Sequence, residues 1–164
     1  GTLSNEYLLP MAQLEIDYPD VVFVYMTGHV DHWNDAHNKG GNQLVRDFCT
    51  ANDKVLYDFA DIESYDPDGT YYEFPHDDCT YYSSAADNTA DGNWADEWTA
   101  THTEDVDWFD CTAAHSKALN GNLKAYGAWA LWVGIAQIPE PAALTLLPPV
   151  LAILTRRQIG RAHV

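Results

Sequence analysis

The chain has 164 residues, of which 46% are hydrophobic and 13% aromatic. That is enough for one folded domain and little more, and it argues against a disordered segment. A formal net charge of −17 repels phosphate backbones, so nucleic acid is not expected as a partner.

The charge is unevenly placed. Residues 1–137 hold Lys39, Arg46, Lys54, Lys117 and Lys124 against 24 acids, a net of −19, whereas Arg156, Arg157 and Arg161 follow with one acid, Glu140. The chain therefore divides into an acidic α/β body, 1–137, and a tail, 138–164.

The opening "GTLSNEYLLPMAQ" has neither a basic n-region nor a long apolar h-region, so it does not read as a signal peptide. It reads as an interior segment of a longer protein. Leu8, Leu9, Met11, Leu14 and Ile16, interspersed with Glu6, Gln13 and Glu15, predict an amphipathic helix with Ser4 as N-cap. Pro10 kinks this helix or delays its start, and Tyr18-Pro19 ends it. "VVFVYM", 21–26, is a continuous apolar run, the pattern of a strand buried on both faces. A polar loop, "TGHVDHWNDAHNKGGN", leads to a short helix, "QLVRDFCTAN", with Leu44, Val45, Phe48 and Cys49 inward. "KVLYDFA", 54–60, is a second buried strand. Strand, helix and strand form a βαβ unit, so the fold class is α/β, with functional residues expected beyond the carboxyl ends of the strands.

Residues 61–116 show no strong periodicity and are rich in Asp, Tyr, Trp and turn formers; loops of this length are usually functional or stapled. Leu119, Leu123, Tyr126, Ala130 and Val133 then recur at helical spacing, with Trp129, Trp132 and Ala136 widening the apolar face. This predicts a closing helix packed on the sheet.

Several constellations could carry chemistry. "GHVDHWNDAH" places His29, Asp31, His32, Asp35 and His37 within nine residues, either as a polar cleft-lining loop or as ligands for a zinc-like ion. Asp61, Asp66 and Asp68 belong to "DIESYDPDGTYYE", read as an Asp-Pro-Asp-Gly turn or as a loose calcium site. Pro75 at the twelfth position excludes an EF-hand. Trp33, Trp94, Trp98 and Trp108, with nearby tyrosines, suit sugar recognition, or else supply the small core that keeps the long loop ordered. Of the three cysteines, Cys79 and Cys111 flank the loop-rich region and form the preferred disulfide in an exported protein; three free thiols are the alternative. No CxxC pair exists, which disfavours a structural zinc site.

The stretches "YPDVVFVYMTGH", "GNQLVRDFCTANDKVLYDFADIESYDPDG" and "AHSKALNGNLKAYGAWAL" together resemble the C-terminal half of an SGNH (GDSL-type) hydrolase. That resemblance implies a three-layer α/β/α, flavodoxin-like fold with part of the sheet outside this chain. It implies hydrolysis of carbohydrate or acyl esters without a required cofactor. His115 is the position matching the general base of that family. The family's orienting Asp three residues earlier is Thr112 here, which leaves Asp110 as the candidate. His29, Asp31, His32, Trp33, Trp94 and Trp108 would contact the substrate. No Gly-Asp-Ser block is present, so the serine is expected from an N-terminal half that this chain lacks. The alternative is a non-catalytic surface or matrix protein that binds glycans or calcium through the acidic aromatic loop.

In the tail, Pro139-Glu140-Pro141, an apolar run from Ala142 to Leu154 and Arg156-Arg157 resemble the bacterial PEP-CTERM sorting signal. The run is short for a bilayer and is broken by Pro148-Pro149. The resemblance implies export to the cell surface or matrix, processing by an exosortase-type enzyme, and transient membrane contact through the tail.

Overall fold

In the computed structural model, residues 2–137 are described; the tail expectations lie outside them. The chain starts with a wide helical turn, Ser4–Leu8, continuing into α1, Leu9–Asp17. Ser4 does not cap it, because the helical stretch starts one residue earlier and Glu6 N–H bonds to Thr2 O instead. Pro10 sits at the start of α1, at the junction with that turn.

β1, Val24–Met26, and β2, Val55–Tyr57, pair in parallel, with Tyr25 opposite Leu56, and α2, Asp35–Asn52, lies between them in sequence. The βαβ unit is as expected, but α2 begins eight residues before the predicted start. Asp31 caps a short 3₁₀ turn, His32–Asn34, by accepting from Trp33 N–H, and that turn runs directly into α2. An Asp35–Lys39 ion pair at 2.9 Å then supports the first turn, just ahead of Gly40-Gly41. Asp53 ends α2 in the left-handed region, at φ 53°.

The described residues form a mixed α/β fold. The parallel sheet has two strands and is accompanied by a three-stranded antiparallel sheet. The supposed long loop supplies that second sheet and two helices: α3, Phe59–Glu63; β3, Phe74–Pro75; β4, Thr80–Tyr82; β5, Gly92–Asn93; and α4, Trp94–Thr99. α5, Ala118–Ile135, closes the structure against α3, α4 and β2. No helix of the described residues is long and apolar enough to cross a membrane.

Two small cores result. Leu8, Tyr25, Val45 and Cys49 form one between α1, α2 and β1; Cys79, Trp94, Ala95 and Leu119 form the other beneath α5. "VVFVYM" is not buried on both faces. Tyr25 is fully enclosed, but Val21, Val22 and Met26 are exposed, because α5 lies over β2 and its Tyr57, not over β1. α5 is likewise buried only along part of its expected stripe. Leu119 is enclosed, whereas Tyr126, Trp129, Trp132 and Val133 are exposed. Gly127 provides the close approach instead, since a side chain there would meet Ile62 at 2.9 Å and Tyr57 at 3.3 Å.

Candidate ligand-binding cleft

A cavity of about 230 Å³ opens at the carboxyl ends of β1 and β2. Its walls come from four segments: Val30 and Asp31 after β1; Asp35, Asn38, Lys39, Asn42 and Arg46 along α2; Ala60, Asp61, Ser64, Tyr65 and Tyr71 in and after α3; and Pro75 of β3.

A polar network supports these walls. Arg46 grips Asp58 with two hydrogen bonds, Nε to Oδ2 at 2.6 Å and Nη2 to Oδ1 at 2.9 Å. Thr27 Oγ1 donates to Asp58 Oδ1 at 2.9 Å and accepts from Ala60 N–H at 2.9 Å. Asn42 Oδ1 accepts from Gly28 N–H at 2.7 Å. Beneath, Glu63 is 1% exposed and is held by Lys124 at 2.6 Å and by Val30 N–H at 2.7 Å. α2, α3, α5 and the loop after β1 are thus tied together by charge-assisted bonds before any ligand arrives.

Within the cleft the carboxylates differ. Bonds from Asn34 and from Trp33 N–H, with His76 nearby, hold the Asp31 carboxyl below its ordinary pKa. Burial and the neighbouring Asp58 push Asp61 above the ordinary value, with Arg46 partly offsetting them. Asp35 is paired with Lys39. Asp31 and Asp61 are therefore the cleft carboxylates that no Lys or Arg pairs with directly among the described residues. Tyr65 and Tyr71, ring centres 5.1 Å apart and both exposed, provide flat apolar surface alongside them.

No protein-family model, curated protein or solved structure matches this chain. The reading of its chemistry therefore rests on its own geometry.

The expected site residues do not form one site. Asp31 and Asp61 line the cleft. His29 is exposed, its Nδ1 against Val30 O. His32 is buried, stacked on Tyr82 at 3.6 Å and bonded through Nε2 to Asp87 O, so it builds structure instead of meeting substrate. Trp33 is 57% exposed, while Trp94 is buried in the second core and Trp108 packs against it. The mini-core reading thus holds for these last two and not for Trp33.

Asp66 and Asp68 do not join Asp61. Asp66 accepts from Thr70 N–H and the Tyr72 hydroxyl, and Asp68 accepts from Trp98 Nε1. Gly69, at φ 84°, completes an Asp-Pro-Asp-Gly turn. His115 and Asp110 are both exposed, and no hydrogen bond or ion pair joins them among the described residues. His115 adopts φ 57° in the turn before α5. The Cys79–Cys111 bond is not formed: all three cysteines are free. Cys79 lies 3.7 Å from Ser116 Oγ, and Cys111 faces Ala118 O. Burial pushes the Cys79 thiol up to about 11, so it behaves as a core side chain.

Sequence reading missed Asn38, Lys39, Asn42, Arg46, Ser64 and Tyr65, whereas Tyr71 was among the tyrosines read as suited to sugar recognition. The α2 members were detectable, because 35, 38, 39, 42 and 46 follow helical spacing and share one face. Gly40-Gly41 obscured that periodicity by suggesting a loop.

Proposed function

We propose that this chain binds a carbohydrate in the cleft beyond β1 and β2. The observation that carries the reading is the cavity itself, which combines two carboxylates unpaired with Lys or Arg among the described residues, two amides, two cations and a tyrosine pair. Sugar hydroxyls use such donors and acceptors in pairs, and the apolar face of a pyranose packs on exposed aromatic rings. The volume is below the roughly 300–1,000 Å³ of drug-sized sites, which suits one sugar residue with its neighbours on the surface near Trp33. Calcium is not needed for this reading, since Asp66 and Asp68 are occupied by the fold.

The test is titration calorimetry with neutral, acetylated and acidic oligosaccharides. Tyr71→Ala and Asn38→Ala are expected to weaken binding roughly tenfold each, the scale of one lost hydrogen bond or ring contact. Equal affinity in both variants, or no binding by any of the three classes, removes the proposal.

A second reading is favoured by His115, an exposed imidazole held at positive φ, a conformation often retained for function. There the chain is the C-terminal part of an exported SGNH-type ester hydrolase, and β1 and β2 belong to a larger three-layer sheet. His115 serves as general base to a serine on a separate segment, and the cleft holds the glycan portion of the ester. The tail directs export and exosortase processing. p-Nitrophenyl acetate hydrolysis by the longer protein should fall at least a hundredfold in His115→Ala; an unchanged rate excludes it.

A further inference from the structure

The turn from β3 to β4 places three metal-ligating side chains in succession, His76, Asp77 and Asp78. Their donor atoms lie within 4.8 Å of one another, and no other group of three His, Cys, Asp or Glu side chains converges this closely among the described residues. The turn is well fixed. His76 N–H donates to Thr80 O at 2.8 Å, Cys79 N–H donates to His76 O at 2.9 Å, and Cys79 takes φ 72°. Asn93 Nδ2 holds Asp78 O at 2.9 Å. Asp78 Oδ1 is occupied by the Thr80 amide and hydroxyl, which leaves Oδ2 for a ligand. Asp77 Oδ1 lies 3.4 Å from His76 Nε2.

Two observations outside this trio bear on what it holds. Asp31, from the loop after β1, sets Oδ1 3.4 Å from His76 Nδ1. A carboxylate behind an imidazole orients the ring and raises its basicity at the other nitrogen, as in most metal-bound histidines. The second is His32, whose backbone N–H donates to the same Nδ1 at 3.3 Å; an ion on Nε2 would shift the ring proton to Nδ1, where Asp31 and not the His32 amide is its partner. The His32 ring is 1% exposed, yet its own Nδ1 has no hydrogen-bond partner, and a buried polar atom in that state calls for a missing donor or ion.

We propose that His76 Nε2, Asp77 and Asp78 Oδ2 bind a divalent transition ion of the zinc type, oriented through Asp31. One imidazole and two carboxylates suit zinc, cobalt or manganese, whereas calcium and magnesium favour all-oxygen shells. Three protein ligands leave coordination open to water. Pro75 and Asp31 also line the cleft, so the ion stands at its rim. The site does not depend on the cleft ligand being a sugar.

The experiment uses the full chain, stripped with chelator and held at constant ionic strength. Zn²⁺ is titrated calorimetrically, and Co²⁺ reports coordination through its visible absorption. One equivalent should bind. Asp77→Asn and His76→Gln should each lose at least tenfold in affinity, and Asp31→Asn about tenfold. Asp77 has His76 as its only hydrogen-bonding or ionic neighbour among the described residues, so Asp77→Asn should keep its far-ultraviolet dichroism. His102→Gln, remote in sequence and stacked on Trp98, should bind as the parent does. Unchanged affinity in both Asp77→Asn and His76→Gln, no binding at millimolar zinc, or calcium binding as tightly as zinc would each overturn the assignment.

Discussion

Glu63 is the residue on which the cleft's support converges, and its burial sets the cost of disturbing it. Among the described residues Lys124 is its only cationic neighbour, at 2.6 Å, and Lys124 also lies 4.2 Å over the Phe59 ring. Removing one partner of a buried pair leaves a charge that neither water nor protein compensates. Lys124→Met should therefore cost about 3–5 kcal/mol in urea unfolding. Glu63→Gln added to Lys124→Met should restore much of that loss, and a double variant no better than the single would show that the pair is not the source. Asp61 makes the opposite case. Its folded pKa is raised, so the folded state holds the proton more tightly than the unfolded chain does. Stability is then lost as pH rises from the ordinary carboxylate range through the raised value, and the cost is fully present at neutral pH. Asp61→Asn should stabilise at pH 7, by about half a kcal/mol after solvent screening. The difference should vanish below the ordinary carboxylate range. A gap that persists in acid would have another cause. A residue that costs stability while lining a cavity is the kind retained for binding.

At the scale of elements, α2 and α5 show what periodicity can and cannot tell. Val45 and Cys49 were legible as inward residues because the apolar spacing of that stretch is strong. The polar face of α2 was not, because two glycines read as a break, whereas the helix starts ahead of them with an Asp31-capped turn and the Asp35–Lys39 pair. Beyond Lys124, α5 carries apolar side chains around most of its circumference, so the stripe read from its spacing did not fix the buried side. The buried side was settled by Gly127, whose missing side chain admits Tyr57 and Ile62. Leu119→Ala should accordingly cost about 2–5 kcal/mol, whereas Trp132→Ala, 66% exposed, should stay within about 0.5 kcal/mol. Thermal melts of the two variants separate these outcomes; a large loss in Trp132→Ala would mean that the outer face of α5 is covered in solution. The 61–116 region escaped sequence reading for a related reason. Its strands have two or three residues each, too few for an alternation to register, and their order depends on the buried Trp94–Leu119 contacts made by a helix far along the chain.

For the whole molecule, charge outweighs any single contact. All five Lys and Arg side chains of residues 2–137 are already committed to carboxylates: Lys39 to Asp35, Arg46 to Asp58, Lys54 to Glu15, Lys117 to Asp96 and Lys124 to Glu63. The surplus acids of the body cannot be neutralised by further Lys or Arg within it, and their mutual repulsion favours expansion. Salt acts on both terms at once. It weakens the partly exposed pairs, of which Lys117–Asp96 is the most open, and such pairs contribute about 0–1 kcal/mol each. It also screens repulsion among many more acids, over distances beyond the roughly 10 Å screening length at 0.1 M. The second term involves more charges, and the Glu63–Lys124 pair is too buried to be screened much. Raising sodium chloride from about 0.01 M to 0.5 M, which shortens the screening length severalfold, should therefore raise Tm by several degrees. Scanning calorimetry in a chelating buffer checks this without interference from a bound divalent ion. A Tm that falls over the same range would mean that the five ion pairs, and not the surplus of acids, govern the electrostatics of the fold.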